Sequence, residues 1–415
     1  MGSEMCIRDS LYLYAMTIIK DMIGNLAHGF RNMCDVWAEE IRRIMRDEGM
    51  LLFFIVLPLS YPILYSWVYN NEVVRDVPVA VVDDSRSQLS REFIRLCDGT
   101  ADVEIVGYAA DMDEARRMVG EQKVRGIYHI PSDFAIRVNR GEQSPIAVYT
   151  DMSLMLNYKA IFQTASSVSF AMNSKIQIKL AGNHTDREDE ITIAPLAFHE
   201  IAIFNPAGGY GSFILPAVLI LILQQILILG VGLLAGTARE NGHYAEYREL
   251  RSHGMGAMSV FMGKSLCYFM FFALIGLFLT VIVPRIFSFV TLAQPLDLLA
   301  VMLPLVLACI FFAITVSVAV HYRENVLLIV VFTSVPMLFL SGVSWPQSNI
   351  PWFWQSISWL IPSTFGIRSF VRMNTMGATL ADCMTEFRAL WAQVAFYFVT
   401  AYIVIKFRQK EYNEK

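Results

Sequence analysis

Six long and nearly uncharged hydrophobic stretches constrain this chain more than any other feature of its sequence. A helix needs roughly 20 apolar residues to cross a hydrocarbon core about 30 Å thick. One Arg, Lys or Asp at the centre of such a helix costs about 2.5–3.5 kcal/mol on insertion scales. We therefore predict a membrane α-helical protein with six transmembrane helices, at residues 50–69, 212–236, 265–283, 296–320, 326–343 and about 389–405.

The composition favours the same class. Hydrophobic residues make up 55% and charged residues 17% of the 415 residues, which argues against a soluble globular protein. The net charge of −4 and the scattered Lys and Arg residues predict no nucleic-acid partner. The six cysteines occur singly, without metal-ligand spacing. Buried thiols are the simplest interpretation, and a disulfide between Cys97 and Cys383 is the alternative.

Basic residues beside the six stretches predict the orientation. Most of them fall on one side of a six-helix topology, and the positive-inside rule makes that side cytoplasmic. Both termini are then cytoplasmic, in a multi-pass protein of the bacterial inner membrane. Arg285, Arg368 and Arg372 form a minority on the outer side. The residues on the inner side are Arg42, Arg43, Arg46, Arg239, Arg248, Arg251, Lys264, Arg323, Lys406, Arg408 and Lys410.

The segment before the first stretch has two parts. Residues 1–10 look like translated sequencing adapter, so residues 1–21 are treated as a non-native extension. Residues 34–49 predict an amphipathic cytoplasmic elbow helix that lies in the headgroup plane. The alternative is a cytoplasmic helix that packs on a neighbour. Its predicted apolar face is formed by Trp37, Ile41, Ile44 and Met45, and its predicted polar face by Glu40, Arg43, Arg46 and Asp47.

Residues 70–210 alternate short apolar runs with helical patterns, and they predict an inserted extracytoplasmic α/β domain. Its first helix is expected after a cap near Ser87. The neighbouring Asp83 and Asp84 could be mistaken for a metal site, but capping of this helix is the simpler interpretation. A polar loop is expected at 181–190. The predicted strands are 77–82, 103–106, 126–130 and 145–149, and the later helices are 112–119 and 154–180.

Three stretches of the chain resemble the type-2 ATP-binding-cassette (ABC) exporter permease family, in its branch with a large extracytoplasmic domain. VPVAVVDDSRSQLSREF opens the domain, and TARENGHYAEYREL follows the second hydrophobic stretch. SGVSWPQSNIPWFWQSISWLIPSTFGIRSFVRMNTMG follows the fifth stretch, where the family has a proline-rich external hairpin. The sequence GHYAEY departs from the commoner Gly-Thr and aliphatic run of the family.

The resemblance implies a permease that pairs with a second copy or a sister permease and binds two cytoplasmic ABC ATPase subunits. No GxxxxGK[ST] run occurs in the sequence, so ATP and Mg would be bound by the partner, and no cofactor or catalytic residue is assigned here. A coupling loop is expected at 237–264, the alternative being a solvated loop whose charges fix the topology. Its predicted ATPase contacts are Arg239, Glu240, Tyr244, Glu246, Tyr247 and Arg248.

Two stretches of the membrane region are candidates for the translocation path. Gln224 and Gln225 lie mid-way along the second stretch, where an amide exposed to hydrocarbon is costly. They line a path or, equally well, form an interhelical hydrogen bond. The resemblance adds an adaptable apolar surface on the fifth stretch, at Phe332, Pro336, Met337 and Phe339, for which an ordinary proline-kinked helix is the alternative.

An aromatic and proline-rich segment follows the fifth stretch. An interfacial aromatic belt is its default role. The resemblance implies instead a re-entrant external hairpin over 344–388 that closes the outer end of the path, with Trp345, Pro346, Pro351, Trp352 and Pro362. His199 and Glu200 begin an incomplete HExxH string, so a zinc protease is not predicted.

The predicted function is ATP-driven export of an amphiphilic or hydrophobic substrate, such as a drug, lipid or peptide-like molecule. The outer domain would dock a periplasmic adaptor and an outer-membrane channel, or guide the substrate outward, while the helices contact membrane lipids. The competing hypothesis is a non-transporting membrane sensor or scaffold whose outer domain binds a partner.

Overall fold

A computed structural model describes residues 24, 27–182, 185–196, 201, 203–205, 208–240 and 256–414, with side chains to residue 409. The chain forms two compact units, a helical unit and the separate unit Asn71–Gly208 inserted into it. Each unit has its own hydrophobic core.

The helical unit begins with α1 (27–46) and α2 (Glu48–Val68). Asp47 separates the two helices and caps α2, because its carboxylate accepts the Met50 amide at 3.1 Å. One π-helical turn, Leu52–Val56, interrupts α2. The Phe54 ring in this turn occupies the space where a side chain at Gly230 would lie, so glycine is required there for α2 to pack closely.

The inserted unit holds a four-stranded sheet with helices on both faces. The strands are β1 (Val77–Asp83), β2 (Val103–Tyr108), β3 (Gly126–Ile130) and β4 (Ala147–Thr150), in the order β2-β1-β3-β4. β1 is parallel to β2 and β3, whereas β4 is antiparallel to β3. The helices are α3 (Gln88–Asp98), α4 (Met112–Gly120), α5 (Phe134–Asn139), α6 (Met155–Ala181) and α7 (Asp186–Ile193).

Alternating residues of the strands build the two faces of the sheet. Tyr128 packs under α3 and α6, where its hydroxyl donates to the Ile161 carbonyl at 2.9 Å. Ile127, the preceding residue, packs with Ala115 of α4 in a second cluster. The predicted cap of α3 is present, since Ser87 accepts the Ser90 amide at 3.0 Å.

The predicted loop at 181–190 is wrong for residues 186–190, which belong to α7. The sequence T-x-x-E explains the helix. The Thr185 hydroxyl accepts the Glu188 amide at 3.3 Å, and the Glu188 carboxylate accepts the Thr185 amide at 3.2 Å. This reciprocal capping box starts a helix in a segment that is too polar to show hydrophobic periodicity.

The helical unit continues with α8 (Tyr210–Glu240), the most buried of its long helices. Of the residues in its most apolar stretch, 83% are buried, whereas in the corresponding stretch of α2 the buried share is 22%. Among the residues that the structure describes, five helices are long and apolar enough to cross a membrane. The predicted fifth span corresponds to α11, which has 16 residues and a length of about 24 Å, so the count of six stays a prediction. The remaining helices are α9 (Gly256–Ile286), α10 (Pro295–Val316), α11 (Asn325–Leu340), α12 (Trp352–Ser358), α13 (Pro362–Met376) and α14 (Met384–Glu414).

Candidate functional site

A cavity of about 740 Å³ lies between α2, α8 and α11. Its walls are mainly aliphatic, because α8 turns one apolar face toward it. None of the described residues that line it carries a charge. Apart from tyrosines, the polar residues that line it in the described part of the chain are Gln225, Ser334 and Ser344. The aliphatic wall from α8 includes Ile214, Val218, Ile222, Ile226 and Leu229.

Gln225 brings an amide group to this apolar cavity. Its side chain is 8% exposed, and its Nε2 donates to the Met337 sulfur at 3.3 Å. Its Oε1 has no hydrogen-bond partner among the described residues. A buried acceptor without a partner is costly to stability, because it loses its hydrogen bonds to water without replacing them.

Gln224 has a different environment from its neighbour. It is fully buried, and its Oε1 accepts the backbone amide of Ser363 at 2.7 Å. Ser363 lies in the first turn of α13, where helix amides lack intrahelical partners. Gln224 also donates to the Met337 sulfur at 3.2 Å. Its contacts are those of the interhelical hydrogen-bond alternative, whereas Gln225 lines the cavity.

The predicted path residues of α11 are divided between two environments. Phe339 lines the cavity, and Met337 is buried against both glutamines. Phe332 is 73% exposed and Pro336 is also exposed, and neither lines the cavity. The role of all six residues in translocation stays a prediction.

A row of four tyrosines along the cavity was not predicted from the sequence. Tyr61, Tyr65 and Tyr69 follow each other at four-residue spacing on α2, with ring centroids 4.9 and 6.4 Å apart. Tyr210 of α8 continues the row, 5.6 Å from Tyr69. All four line the cavity. The spacing was a visible signal, since residues four apart lie on the same face of a helix.

The segment predicted as an external hairpin contains α12 and α13. Trp345 and Trp352 are 55% and 79% exposed, whereas Pro362 is buried as the first residue of α13. The contact between Ser363 and Gln224, 14 residues from the first residue of α8, places this turn deep in the helical unit. Pro346 lies in the loop before α12, and Pro351 is the residue before that helix.

The sequence of the chain matches that of a known family. A family model described as ABC-2 family transporter protein matches residues 49–403. The chain belongs to this family. It is therefore a multi-pass membrane protein and a permease component of an ABC transporter, which is not itself catalytic and which partners with an ATPase subunit. No curated protein matches the chain significantly.

The predicted coupling residues of the permease that the structure describes are engaged within the chain. An Arg239 guanidinium nitrogen donates to the carbonyls of Val318 and Val320 at 3.3 and 2.9 Å. The Glu240 carboxylate accepts the backbone amide of Arg323 at 2.6 Å. The end of α8 is thereby attached to the loop that joins α10 and α11. Tyr244, Glu246, Tyr247 and Arg248 lie outside the described residues.

The same loop of the permease is attached to the start of α2. An Arg323 guanidinium nitrogen donates to the Asp47 carboxylate at 3.1 Å. Partial burial alone would raise the pKa of Asp47, but the hydrogen bonds from Arg323 and Met50 outweigh it and hold the pKa below its ordinary value. Residues 47, 240 and 323 therefore form one connected set, which we call the Arg323 junction.

Helix α1 of the permease packs on α9 through a buried charged group. The Glu40 carboxylate is 1% exposed and accepts a hydrogen bond from the Tyr268 hydroxyl. Lys264 lies 3.2 Å from the same carboxylate. The sequence placed Glu40 on a polar face, yet it is a principal contact with α9. Of the predicted apolar face, Ile44 is buried and Met45 is 51% exposed.

The remaining motifs of the permease have structural roles or lie outside the described residues. Asp83 accepts the Arg86 amide at 3.0 Å and the Ser90 hydroxyl at 2.7 Å, which orders the start of α3. Cys97 and Cys383 are both free cysteines. His199 and Glu200 are among the residues that the structure does not describe.

Proposed function

We propose that this permease exports an amphiphilic or hydrophobic substrate of drug, lipid or peptide-like chemistry across the bacterial inner membrane. The 740 Å³ cavity between α2, α8 and α11 carries this proposal. Its volume lies within the roughly 300–1,000 Å³ that is usual for small-molecule sites, and its lining combines apolar walls with a few polar groups. The basic residues beside the hydrophobic stretches support an orientation with both termini cytoplasmic, through the positive-inside rule. The inserted unit Asn71–Gly208 supports the outward direction of transport.

The proposed assembly contains two ABC ATPase subunits and two permeases, either identical or sisters. The unit Asn71–Gly208 would lie on the outer side, where it would dock an adaptor and an outer-membrane channel. The external hairpin would close the outer end of the path. ATP and Mg would be bound by the ATPase subunits.

Transport in inverted vesicles tests the proposal. The permease is co-expressed with its co-purifying cassette ATPase, and ATP-dependent accumulation of a fluorescent amphiphile is measured with Val331→Trp and Leu328→Trp. Val331 lines the cavity, whereas Leu328 is exposed on the same helix and does not line it. Accumulation is expected to fall severalfold in Val331→Trp and to persist in Leu328→Trp. If neither the original permease nor either variant supports ATP-dependent accumulation, the sensor or scaffold hypothesis is favoured.

A further inference from the structure

The four tyrosines give one side of the cavity a different chemistry from the rest. Consecutive ring centroids lie 4.9, 6.4 and 5.6 Å apart, so the aromatic surface is continuous from Tyr61 to Tyr210. Tyr61 precedes Tyr69 by two helical turns, or about 12 Å along the axis. The aromatic row therefore extends well beyond the single layer that an interfacial belt occupies.

The position of the rings also separates them from the most exposed aromatic residue of the same helix. Trp67 lies on the same helix, is 72% exposed and does not line the cavity. The tyrosines all line it, and Tyr61 and Tyr65 bring their hydroxyl oxygens within 3.5 Å of each other. The row belongs to the cavity wall, and its composition bears on what the cavity binds.

The charge of the lining limits the class of ligand. No Lys, Arg or His among the described lining residues could neutralise an anion. Aromatic rings, in contrast, attract a cation through their negative π faces, most strongly where water is excluded. A purely neutral apolar ligand would be accommodated equally well by the aliphatic walls and would gain little from tyrosine.

We infer that the cavity selects single-chain cationic amphiphiles. An alkylammonium group would bind against Tyr61, Tyr65, Tyr69 and Tyr210, while the hydrocarbon body lies along the aliphatic walls of α8 and α11. This assignment rests on the proposed function, in which the cavity holds the transported molecule.

Three probes with a common aromatic body test the charge preference. Trimethylammonium-diphenylhexatriene is cationic, diphenylhexatriene is neutral and its propionate is anionic. Binding of each probe is measured by energy transfer from protein tryptophans in nanodiscs of phosphatidylethanolamine and phosphatidylglycerol, with empty nanodiscs as the background. Saturable binding of the cation, at least tenfold tighter than that of the other two, is expected. Equal affinities, or tighter binding of the anion, would overturn the inference.

Variants of the central tyrosine test whether the aromatic ring carries the preference. Tyr65→Leu is expected to weaken binding of the cation about tenfold, because cation–π attraction at a partly desolvated site is of that order. Tyr65→Phe keeps the ring and should stay within about threefold of the original protein. Leu64→Ala, at an exposed position of α2 that does not line the cavity, is the matched control and should bind normally. A Tyr65→Leu protein with unchanged binding, or with equal loss of all three probes, contradicts the assignment.

Two further measurements distinguish a single-chain amphiphile from a choline lipid, and binding from transport. Nanodiscs of phosphatidylcholine present trimethylammonium headgroups. If these abolish probe binding, a choline lipid is the occupant, and the assignment to single-chain amphiphiles is wrong. Binding uses the permease alone, whereas export uses the permease with its ATPase in inverted vesicles. Selective binding without ATP-driven movement would therefore count against the proposed function and leave the cation site standing.

Discussion

Two adjacent glutamines of α8 have different environments because successive residues of a helix point about 100° apart. The Gln224 oxygen accepts an amide in the first turn of α13, and the Gln225 oxygen has no partner among the described residues. The sequence could identify the pair as costly in hydrocarbon, but the division of roles depends on which neighbour each side chain meets.

Replacing the two glutamines should therefore have unequal effects on stability. Gln224→Leu leaves the buried Ser363 amide without its acceptor, which costs about 1–3 kcal/mol. Gln225→Leu removes a partnerless acceptor and a weak contact with sulfur, so the cost should be below about 1 kcal/mol. Thermal unfolding in detergent measures both. A Gln225→Leu protein that is the less stable of the two would contradict these roles.

At the scale of elements, buried charges join helices that are far apart in sequence. Glu40 of α1 is buried against Lys264 and Tyr268 of α9. A buried ion pair adds little net stability, but removing one partner is strongly destabilising because the other charge stays behind. The position of α1 therefore depends on this carboxylate.

A double-mutant comparison tests the attachment of α1. Glu40→Leu should destabilise the permease by about 3–5 kcal/mol, since Lys264 keeps its charge at a site where it is only 17% exposed. Glu40→Leu with Lys264→Leu should recover most of that loss. The measurement is the denaturant midpoint in detergent. If the double variant is less stable than the single one, the two side chains do not act as a pair.

The Arg323 junction concerns the end of α8 that was predicted to contact the ATPase. Glu240→Gln retains an oxygen acceptor for the Arg323 amide, whereas Glu240→Arg removes it and places two cations together. We expect permease-dependent ATP hydrolysis to persist in Glu240→Gln and to fall severalfold in Glu240→Arg. An equal fall in both variants would indicate that the carboxylate charge itself meets the ATPase. Unchanged hydrolysis in Glu240→Arg would show that residue 240 does not take part in coupling to the ATPase.

At the scale of the whole molecule, the division into two units predicts that the inserted unit can fold on its own. Asn71–Gly208 contains a complete sheet with a core on each face. Its single cysteine, Cys97, is buried against α6, and burial, assisted by the Asp98 carboxylate, raises the pKa of its thiol to about 12. The thiolate is the reactive form, so folding should protect this residue from alkylation.

The isolated unit should therefore fold, and the reactivity of Cys97 should show whether it has folded. A soluble fragment of residues 71–208 is expected to unfold cooperatively, and Cys97 should resist maleimide at pH 8 until denaturant is added. Mass spectrometry of the alkylated fragment measures the reaction. Rapid labelling without denaturant would show that the fragment does not keep the fold it has in the full chain.

The sequence predicted the helices and strands of this molecule better than the residues that form its candidate site. Hydrophobic length and periodicity located the long helices and the strands, because both signals arise from burial along a single element. The capping box at Thr185 was missed because it depends on two polar residues without periodicity. Buried Glu40 was assigned to a polar face, since a sequence does not show that a partner charge lies across the interface.

Sequence alone determined the membrane class, the family resemblance that the family model confirms, and the presence of two glutamines mid-way along a hydrophobic stretch. These follow from local composition and from motifs in a fixed order. Only the tertiary structure decided that Gln224 meets α13, that Gln225 lines a cavity, and that tyrosines of α2 and α8 form one row. The physical reason is that a cavity is the space left between packed helices, and its lining depends on how each helix is rotated against the others.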